Sequence, residues 1–164
     1  MTGATLVVGL GHGDRGDDGV GPEVADRVSD RLRGEPGVRV VVEEDPAALL
    51  DLWRGHDHVV VVDAVVTGVP AGTLHRFDVG SAAPPLPERA WARTGTAGTH
   101  ALGLADAVGL GRALGRLPAR VAVVGVEAGR LDLGAGLSAP VAAAVEGAAD
   151  LVLWEVALGA AGHR

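Results

Sequence analysis

The sequence contains no cysteine, no lysine and no tyrosine, and its single phenylalanine is Phe77. Without cysteine, disulfides, thiolate metal sites and thiol nucleophiles are excluded. The basic residues are 14 arginines against 21 aspartates and glutamates, a formal net charge of −7, so the basic character of a nucleic-acid-binding domain is missing too. Because aromatic residues make up only 2% of the chain, the core must be built from valine, leucine and alanine.

Long apolar runs are also missing. No uninterrupted apolar stretch approaches the ~20 residues of a membrane span, and the opening MTGATL lacks the basic start of a signal peptide. We therefore expect a cytoplasmic protein with neither a membrane nor a nucleic acid as partner. The 164 residues match the usual size of one domain, ~100–200 residues. We assign that domain to residues 1–158 and a frayed tail to residues 159–164.

Short valine- and alanine-rich runs alternate with helical patterns. The clearest helix starts at Val20, where apolar residues recur every fourth position as far as Leu32. The clearest strand is the four-valine run at residues 59–62, typical of a strand buried on both faces of a parallel sheet. This alternation predicts a three-layer α/β sandwich around a twisted, mostly parallel five-stranded sheet. Further strands are predicted at residues 4–8, 38–42, 73–77 and 120–126, and further helices at residues 46–53, 99–114 and 138–158.

Sheets of this kind bind ligands at the carboxyl ends of their strands. That rule selects residues 9–19, residues 63–68 and the chain after Val126. The first segment, GLGHGDRGDDG, is rich in glycine but does not match the dinucleotide pattern G-x-G-x-x-G, since its third glycine comes one residue early. The phosphate-binding pattern G-x-x-x-x-G-K-[ST] needs a lysine, which the protein lacks. A nucleotide site is therefore disfavoured.

Three side chains in or beside these segments form a candidate metal site: Asp18, Asp63 and His100. Two carboxylates and one imidazole suit a divalent ion such as nickel, zinc or cobalt, and three protein ligands leave positions open for a substrate. Each residue also has a purely structural interpretation. In this interpretation Asp18 caps the next helix, and Asp63 holds the next loop through backbone N–H groups. His100 then caps the helix that follows or packs against it. His58 and His75 are expected on the surface.

These segments together resemble the nickel–iron hydrogenase maturation endopeptidases. VVGLGH at residues 7–12, with GDDGVG at residues 16–21, resembles the family's first motif. VVVDAV at residues 60–65 resembles the second motif, and THALGLAD at residues 99–106 resembles the third. VGVE at residues 124–127, followed by GLS, resembles the C-terminal part, so the resemblance runs in order along nearly the whole chain.

The resemblance implies a phosphorylase/hydrolase-like fold and an endopeptidase. Such an enzyme removes the C-terminal extension of a hydrogenase large-subunit precursor after nickel has been inserted. The family's acidic, aspartate and histidine ligands fall on Asp18, Asp63 and His100, which would contact nickel supplied by the precursor, with zinc or cadmium as substitutes in vitro. The enzyme is expected to be a monomer whose attacking water is activated by the metal or by a carboxylate.

This chain departs from the family pattern in two places. The family usually has asparagine where this sequence has His12. Three interpretations of His12 are open: a further metal ligand, a hydrogen-bonding side chain, or a side chain that only fills space. Many members carry Asp-Gly-Gly-Thr after the second strand, where this chain has EEDP at residues 43–46. We therefore expect precursor recognition to differ in detail.

Two other classes compete with a processing endopeptidase. One is a non-catalytic nickel-binding or nickel-handling protein of the same fold. The other is a small-molecule α/β hydrolase, which is disfavoured because the sequence lacks the G-x-S-x-G nucleophile pattern. The long loop at residues 80–98 is expected to become ordered when the precursor docks, with Trp91 as an apolar anchor. The alternative for Trp91 is packing on its own domain.

Overall fold

The computed structural model describes residues 4–86 and 103–162. Within those residues the strands are β1 (Thr5–Leu10), β2 (Val38–Glu43), β3 (His58–Val65), β4 (Leu74–Asp78) and β5 (Arg120–Glu127). The α-helices are α1 (Val20–Arg31), α2 (Leu49–Leu52), α3 (Leu104–Ala113) and α4 (Ala139–Ala161). Short 3₁₀ turns cover Gly16–Gly19 and Pro46–Ala48.

A single sheet holds these strands in the order β2-β1-β3-β5-β4. β2, β1, β3 and β5 run parallel, and β4 pairs with β5 in the antiparallel direction at one edge. The predicted α/β class with a mostly parallel five-stranded sheet is therefore confirmed. The two central strands, β1 and β3, are buried along their whole length, which explains their unbroken apolar sequences.

Helices cover both faces of the sheet. Along β3 successive side chains alternate between the faces. Val61 packs with Trp53 and Leu104 in the core beneath α2 and α3. Its neighbour Val62 belongs to the core beneath α1 and α4. By the same alternation Asp63 lies on the face that α3 covers.

Several element boundaries differ from those predicted by a few residues, and three of these differences bear on the site or on the C-terminal tail. β3 continues through Asp63 to Val65, because β5 pairs with it over its whole length. α3 begins at Leu104, while the predicted start at residue 99 lies outside the described residues. α4 runs to Ala161, into the predicted frayed tail, because Gly159 packs so closely on the imidazole of His58 that a Cβ would lie 2.1 Å from Nδ1.

The prediction of two surface histidines is wrong. His58 is 2% exposed between β3 and α4, with its Nδ1 3.5 Å from Thr5 Oγ1. His75 on β4 is partly buried, and its ring stacks on Phe77 with centroids 5.9 Å apart. His58 packs against Gly159 of α4, and His75 Nε2 lies 3.0 Å from Glu127 Oε2 of β5. Both contacts join segments that are distant in sequence, which the local pattern around a histidine does not reveal.

The outer surfaces of α1 and α4 are joined by ion pairs. Arg27 and Arg31 on α1 reach Glu146 on α4, and Arg31 also donates to Asp150 Oδ1 at 2.6 Å. All four side chains are at least a third exposed, so the network is open to solvent. In the part of the chain that the structure describes, no helix has the length and apolar character needed to cross a bilayer.

Candidate functional site

The carboxyl ends of β1 and β3 lie side by side at the centre of the sheet. From β1 the chain passes to β2 on one side and then reaches β3 on the other. The connections therefore diverge, and such a reversal of strand order leaves a crevice that commonly binds ligands. Asp18 comes from the turn after β1, and Asp63 comes from the end of β3. The structure thus brings these two predicted site residues within electrostatic reach of one another.

Asp18 is held by the loop that precedes it. Its side chain is nearly buried, and its Oδ2 accepts the backbone N–H of His12 at 2.9 Å and lies 3.1 Å from Nδ1 of the same residue. Gly11 permits this approach, since its φ is +138° and a Cβ there would lie 2.0 Å from the Asp18 carbonyl oxygen. The interpretation of Asp18 as a helix cap is wrong, because α1 has Gly19 at its N-cap and no side-chain capping bond.

Asp63 is buried on β3 opposite Gly125 of β5. Burial raises the pKa of Asp63 well above its ordinary 3.8, and the charge of Asp18 raises it further. A hydrogen bond from the backbone N–H of Ala64 offsets only part of these effects. Among the described residues no basic side chain forms an ion pair with Asp63. A carboxyl group in this environment either keeps its proton or binds a cation.

The neighbouring Asp17 is also buried but has a structural role. Its Oδ2 accepts the backbone N–H of Gly129 at 2.7 Å and that of Arg130 at 2.8 Å. Ser138 donates its backbone N–H to Oδ1 at 2.6 Å and its hydroxyl to Oδ2 at 2.8 Å. Burial opposes ionisation, but these hydrogen bonds together lower the pKa of Asp17 below 3.8. Asp17 therefore fastens the segment between β5 and α4 to the turn that carries Asp18. The sequence around Asp17 does not predict this role, although two adjacent aspartates are a possible signal that one of them is structural.

Glu127, at the end of β5, fastens the loop that follows β3. Its carboxylate accepts the backbone N–H of Thr67 at 2.7 Å, the Thr67 hydroxyl at 2.9 Å and the Gly68 N–H at 2.9 Å, and lies 3.0 Å from His75 Nε2. Burial again opposes ionisation, yet the hydrogen bonds lower the pKa of Glu127 below 4.5. The structural role considered for Asp63, holding the next loop, thus belongs to Glu127.

His100, the third predicted site residue, lies outside the described residues, as does Trp91. Within residues 4–86 and 103–162 no group of three or more histidines, aspartates and glutamates is arranged to hold a metal ion. Asp18 and Asp63 therefore lack a third ligand from that part of the chain. Among the described residues Asp63 has no ion-pair partner and Asp18 has only His12. Two such carboxyl groups fit a positively charged group that arrives from outside, and their oxygen atoms are suitable donors for a divalent metal.

The chain is similar in sequence to one known family. The family model of HycI, described as a hydrogenase maturation protease, matches residues 44–155. That span includes Asp63 and His100 and begins after Asp18. No curated protein matches the sequence.

Solved structures extend the similarity over nearly the whole chain. The hydrogenase maturating endopeptidase HybD from E. coli superposes with a TM-score of 0.71 at 26% identity, covering 92% of this chain and 90% of HybD. A hydrogenase 2 maturation peptidase from a Thaumarchaeota archaeon has a TM-score of 0.64 and 28% identity, covering 94% and 99%. The [NiFe] hydrogenase maturation protease HybD from Thermococcus kodakarensis, at 24% identity, is similar in fold, with a TM-score of 0.66 and coverage of 91% and 96%.

Proposed function

The chain belongs to the hydrogenase maturation protease family and is therefore a peptidase, and we propose that it cleaves the large-subunit precursor of a nickel–iron hydrogenase. It removes the C-terminal extension after nickel has been inserted. Asp18, Asp63 and His100 form the site, and the nickel belongs to the precursor. The enzyme acts as a monomer in the cytoplasm.

The observation that carries this proposal is the pair of buried carboxyl groups, Asp18 and Asp63: in the described residues Asp63 has no basic partner, and Asp18 has only the imidazole of His12. Two such groups repel each other when both are ionised. A divalent cation between them removes that repulsion and favours both charges. A precursor presents this cation only after nickel insertion, so the pair favours docking of the loaded precursor over the empty one.

His100 supplies the third ligand in this proposal. It lies in the THALGLAD motif, four residues before Leu104, the first residue of α3. Leu104 is buried with Val61 in the core on the same face of the sheet as Asp63. Imidazole is a suitable ligand for nickel. Zinc or cadmium is expected to replace nickel in vitro.

The same carboxyl groups also take part in hydrolysis of the precursor's peptide bond. Asp63 keeps its proton to a higher pH than an ordinary aspartate, and it releases that proton when it binds a cation. The attacking water is activated by the precursor's nickel as a Lewis acid or by a carboxylate as a general base. Both an aspartic-type and a metal-dependent description are compatible with this site. Cleavage gives the mature subunit a new C-terminal carboxylate and releases the extension with a new amino terminus.

The test compares nickel-free with nickel-loaded precursor. Purified enzyme is mixed with each, and loss of the extension is followed by mass spectrometry. We expect cleavage of the loaded precursor alone, with Asp63→Asn and His100→Ala each slowing it roughly a hundredfold or more. Asp51→Asn is the matched control, because Asp51 is exposed on α2, and it should cleave at the unaltered rate.

Other outcomes distinguish the competing functions. Equal cleavage of both precursors would contradict the nickel requirement and leave a conventional metalloprotease as an alternative. Nickel binding without cleavage of either precursor would support a non-catalytic nickel-handling protein. Calorimetry with Ni²⁺ or Cd²⁺ checks the site separately, since the double variant Asp63→Asn, His100→Ala must bind the metal more weakly than the unaltered protein.

A further inference from the structure

His12 contacts Asp18 through two groups that meet the same carboxylate oxygen. Its backbone N–H donates to Asp18 Oδ2 at 2.9 Å, and its ring Nδ1 lies 3.1 Å from that atom. A carboxylate that has lost its proton can only accept, so a hydrogen bond from the ring to the charged form of Asp18 requires the hydrogen on Nδ1. The backbone of the loop is itself fixed, because the N–H of Gly11 donates to the Glu43 carbonyl oxygen at 3.0 Å and extends the pairing of β1 with β2.

These contacts leave the two oxygens of Asp18 in different states. Oδ2 is fully engaged by His12, whereas Oδ1 accepts no hydrogen bond from residues 4–86 or 103–162. Two donors on one oxygen restrict rotation of the carboxylate, while the other oxygen stays available for a ligand. A carboxylate that must meet a metal or a peptide in one geometry gains rate from such prior orientation.

We infer that His12 is a positioning residue, whose Nδ1 hydrogen bond orients the Asp18 carboxylate to receive the precursor. This inference rests on the function proposed above for Asp18. His12 acts through Asp18 and not by contact with the substrate. Its other ring nitrogen, Nε2, lies 3.7 Å from Glu44 Oε2, which is beyond hydrogen-bond distance. The exposed Glu44 therefore contributes little to the orientation.

Side-chain geometry separates this role from simple packing. Asparagine carries its amide nitrogen on Cγ, as imidazole carries Nδ1, so His12→Asn keeps a donor at the same bond distance from Cβ. Glutamine carries its amide nitrogen one carbon further out, where imidazole has Nε2. His12→Gln therefore keeps more of the bulk but moves the donor away from Asp18. A positioning role predicts that asparagine replaces histidine better than glutamine does, and a packing role predicts the reverse.

The experiment measures kcat/KM for nickel-loaded precursor with the unaltered enzyme and three His12 variants. We expect His12→Ala and His12→Gln to lower kcat/KM by roughly ten- to a hundredfold, and His12→Asn to stay within about threefold of the unaltered enzyme. Asp51→Asn, at an exposed position on α2, serves as the control and should also stay within about threefold. If His12→Ala does not fold, the comparison of His12→Asn with His12→Gln still decides.

A second measurement does not depend on activity. ¹⁵N NMR at alkaline pH should show hydrogen on Nδ1 of His12, and Asp18→Ala should abolish that hydrogen-bonded signal. Glutamine equal to or better than asparagine, or an Nδ1 without hydrogen, overturns the inference. If the unaltered enzyme fails to cleave the loaded precursor, the proposed function fails, and the NMR result alone decides the positioning role.

Discussion

In the described part of the chain, two pairs of carboxylates are buried at the carboxyl edge of the sheet. Asp17 and Glu127 each have four hydrogen-bond contacts, from segments that are distant in sequence. Within residues 4–86 and 103–162, Asp18 has hydrogen-bond contacts only with His12, and Asp63 only with the N–H of Ala64. All four residues are at most 3% exposed. Burial therefore does not distinguish Asp17 and Glu127 from Asp18 and Asp63. The number of hydrogen-bond donors around each carboxylate does.

The difference separates the structural frame, Asp17 and Glu127, from the proposed reactive centre, Asp18 and Asp63. Asp17 and Glu127 hold the loops in place, and their pKa values are lowered despite burial because the hydrogen bonds stabilise the ionised form. The pKa of Asp63 is raised because burial and the charge of Asp18 both oppose ionisation. Strongly perturbed, uncompensated carboxylates concentrate at functional sites, since elsewhere they only reduce stability.

The largest change in the free energy of unfolding is expected when Asp17, one of the two fully hydrogen-bonded carboxylates, is replaced. Asp17→Ala leaves the buried donors of Gly129, Arg130 and Ser138 without their acceptor. We expect the free energy of unfolding to fall by about 3–5 kcal/mol, measured by urea denaturation. Asp17→Asn, which retains one acceptor oxygen, should lose less. A loss below about 1 kcal/mol for Asp17→Ala would show that the carboxylate does not hold this segment.

An increase in the free energy of unfolding, rather than a loss, is expected when Asp63 is replaced, because few donors surround Asp18 and Asp63. Because the pKa of Asp63 is raised in the folded state, the folded protein binds more protons than the unfolded chain above about pH 4, and the contribution of Asp63 to stability falls as pH rises toward the raised value. Asp63→Asn removes this penalty. It should raise the free energy of unfolding at neutral pH by about 0.5–2 kcal/mol while activity is lost.

Denaturation of the unaltered protein and Asp63→Asn across pH 4–8 measures this effect, with Asp51→Asn as the exposed control. The advantage of Asp63→Asn should grow with pH. A variant that is less stable than the unaltered protein at every pH would contradict the assignment of Asp63 as an uncompensated group.

A smaller effect with the reverse pH dependence is expected for Glu127. Its pKa is lowered in the folded state, so its contribution is present above the unfolded value near 4.5 and is lost as pH falls through the folded value. Glu127→Gln should cost about 1 kcal/mol at neutral pH and nothing in strong acid. Parallel stability curves for the variant and the unaltered protein throughout the acid range would refute the role of the Glu127 charge.

The smallest effect is expected for carboxylates that are charged, paired and exposed. Glu146→Gln removes the partner of Arg27 and Arg31 on α1, but solvent screens these ion pairs. The urea midpoint should shift less than in any variant of the buried pairs, and the shift should disappear at about 1 M salt. A shift that persists at that salt concentration would mean that packing rather than charge joins α1 to α4 at this point.

Much of the fold could be predicted because the buried side of a helix or strand requires apolar residues at a regular spacing in the sequence. The four valines before Asp63 mark a central strand, and the spacing from Val20 to Val28 marks the buried side of α1. The ends of the strands were harder to predict from the sequence. β3 extends to Val65 because β5 offers backbone partners that far, and the residues of β3 contain no signal of that neighbour.

The sequence by itself determined the sheet and the meeting of Asp18 with Asp63, since parallel strands direct their carboxyl ends to one edge whatever the loops contain. Only the tertiary structure decided which of the adjacent aspartates is structural. Asp17 and Asp18 differ because Ser138, 121 residues away, donates to one and His12 contacts the other. Local patterns specify burial, whereas the ionisation of a buried group depends on donors and charges that distant segments bring to it.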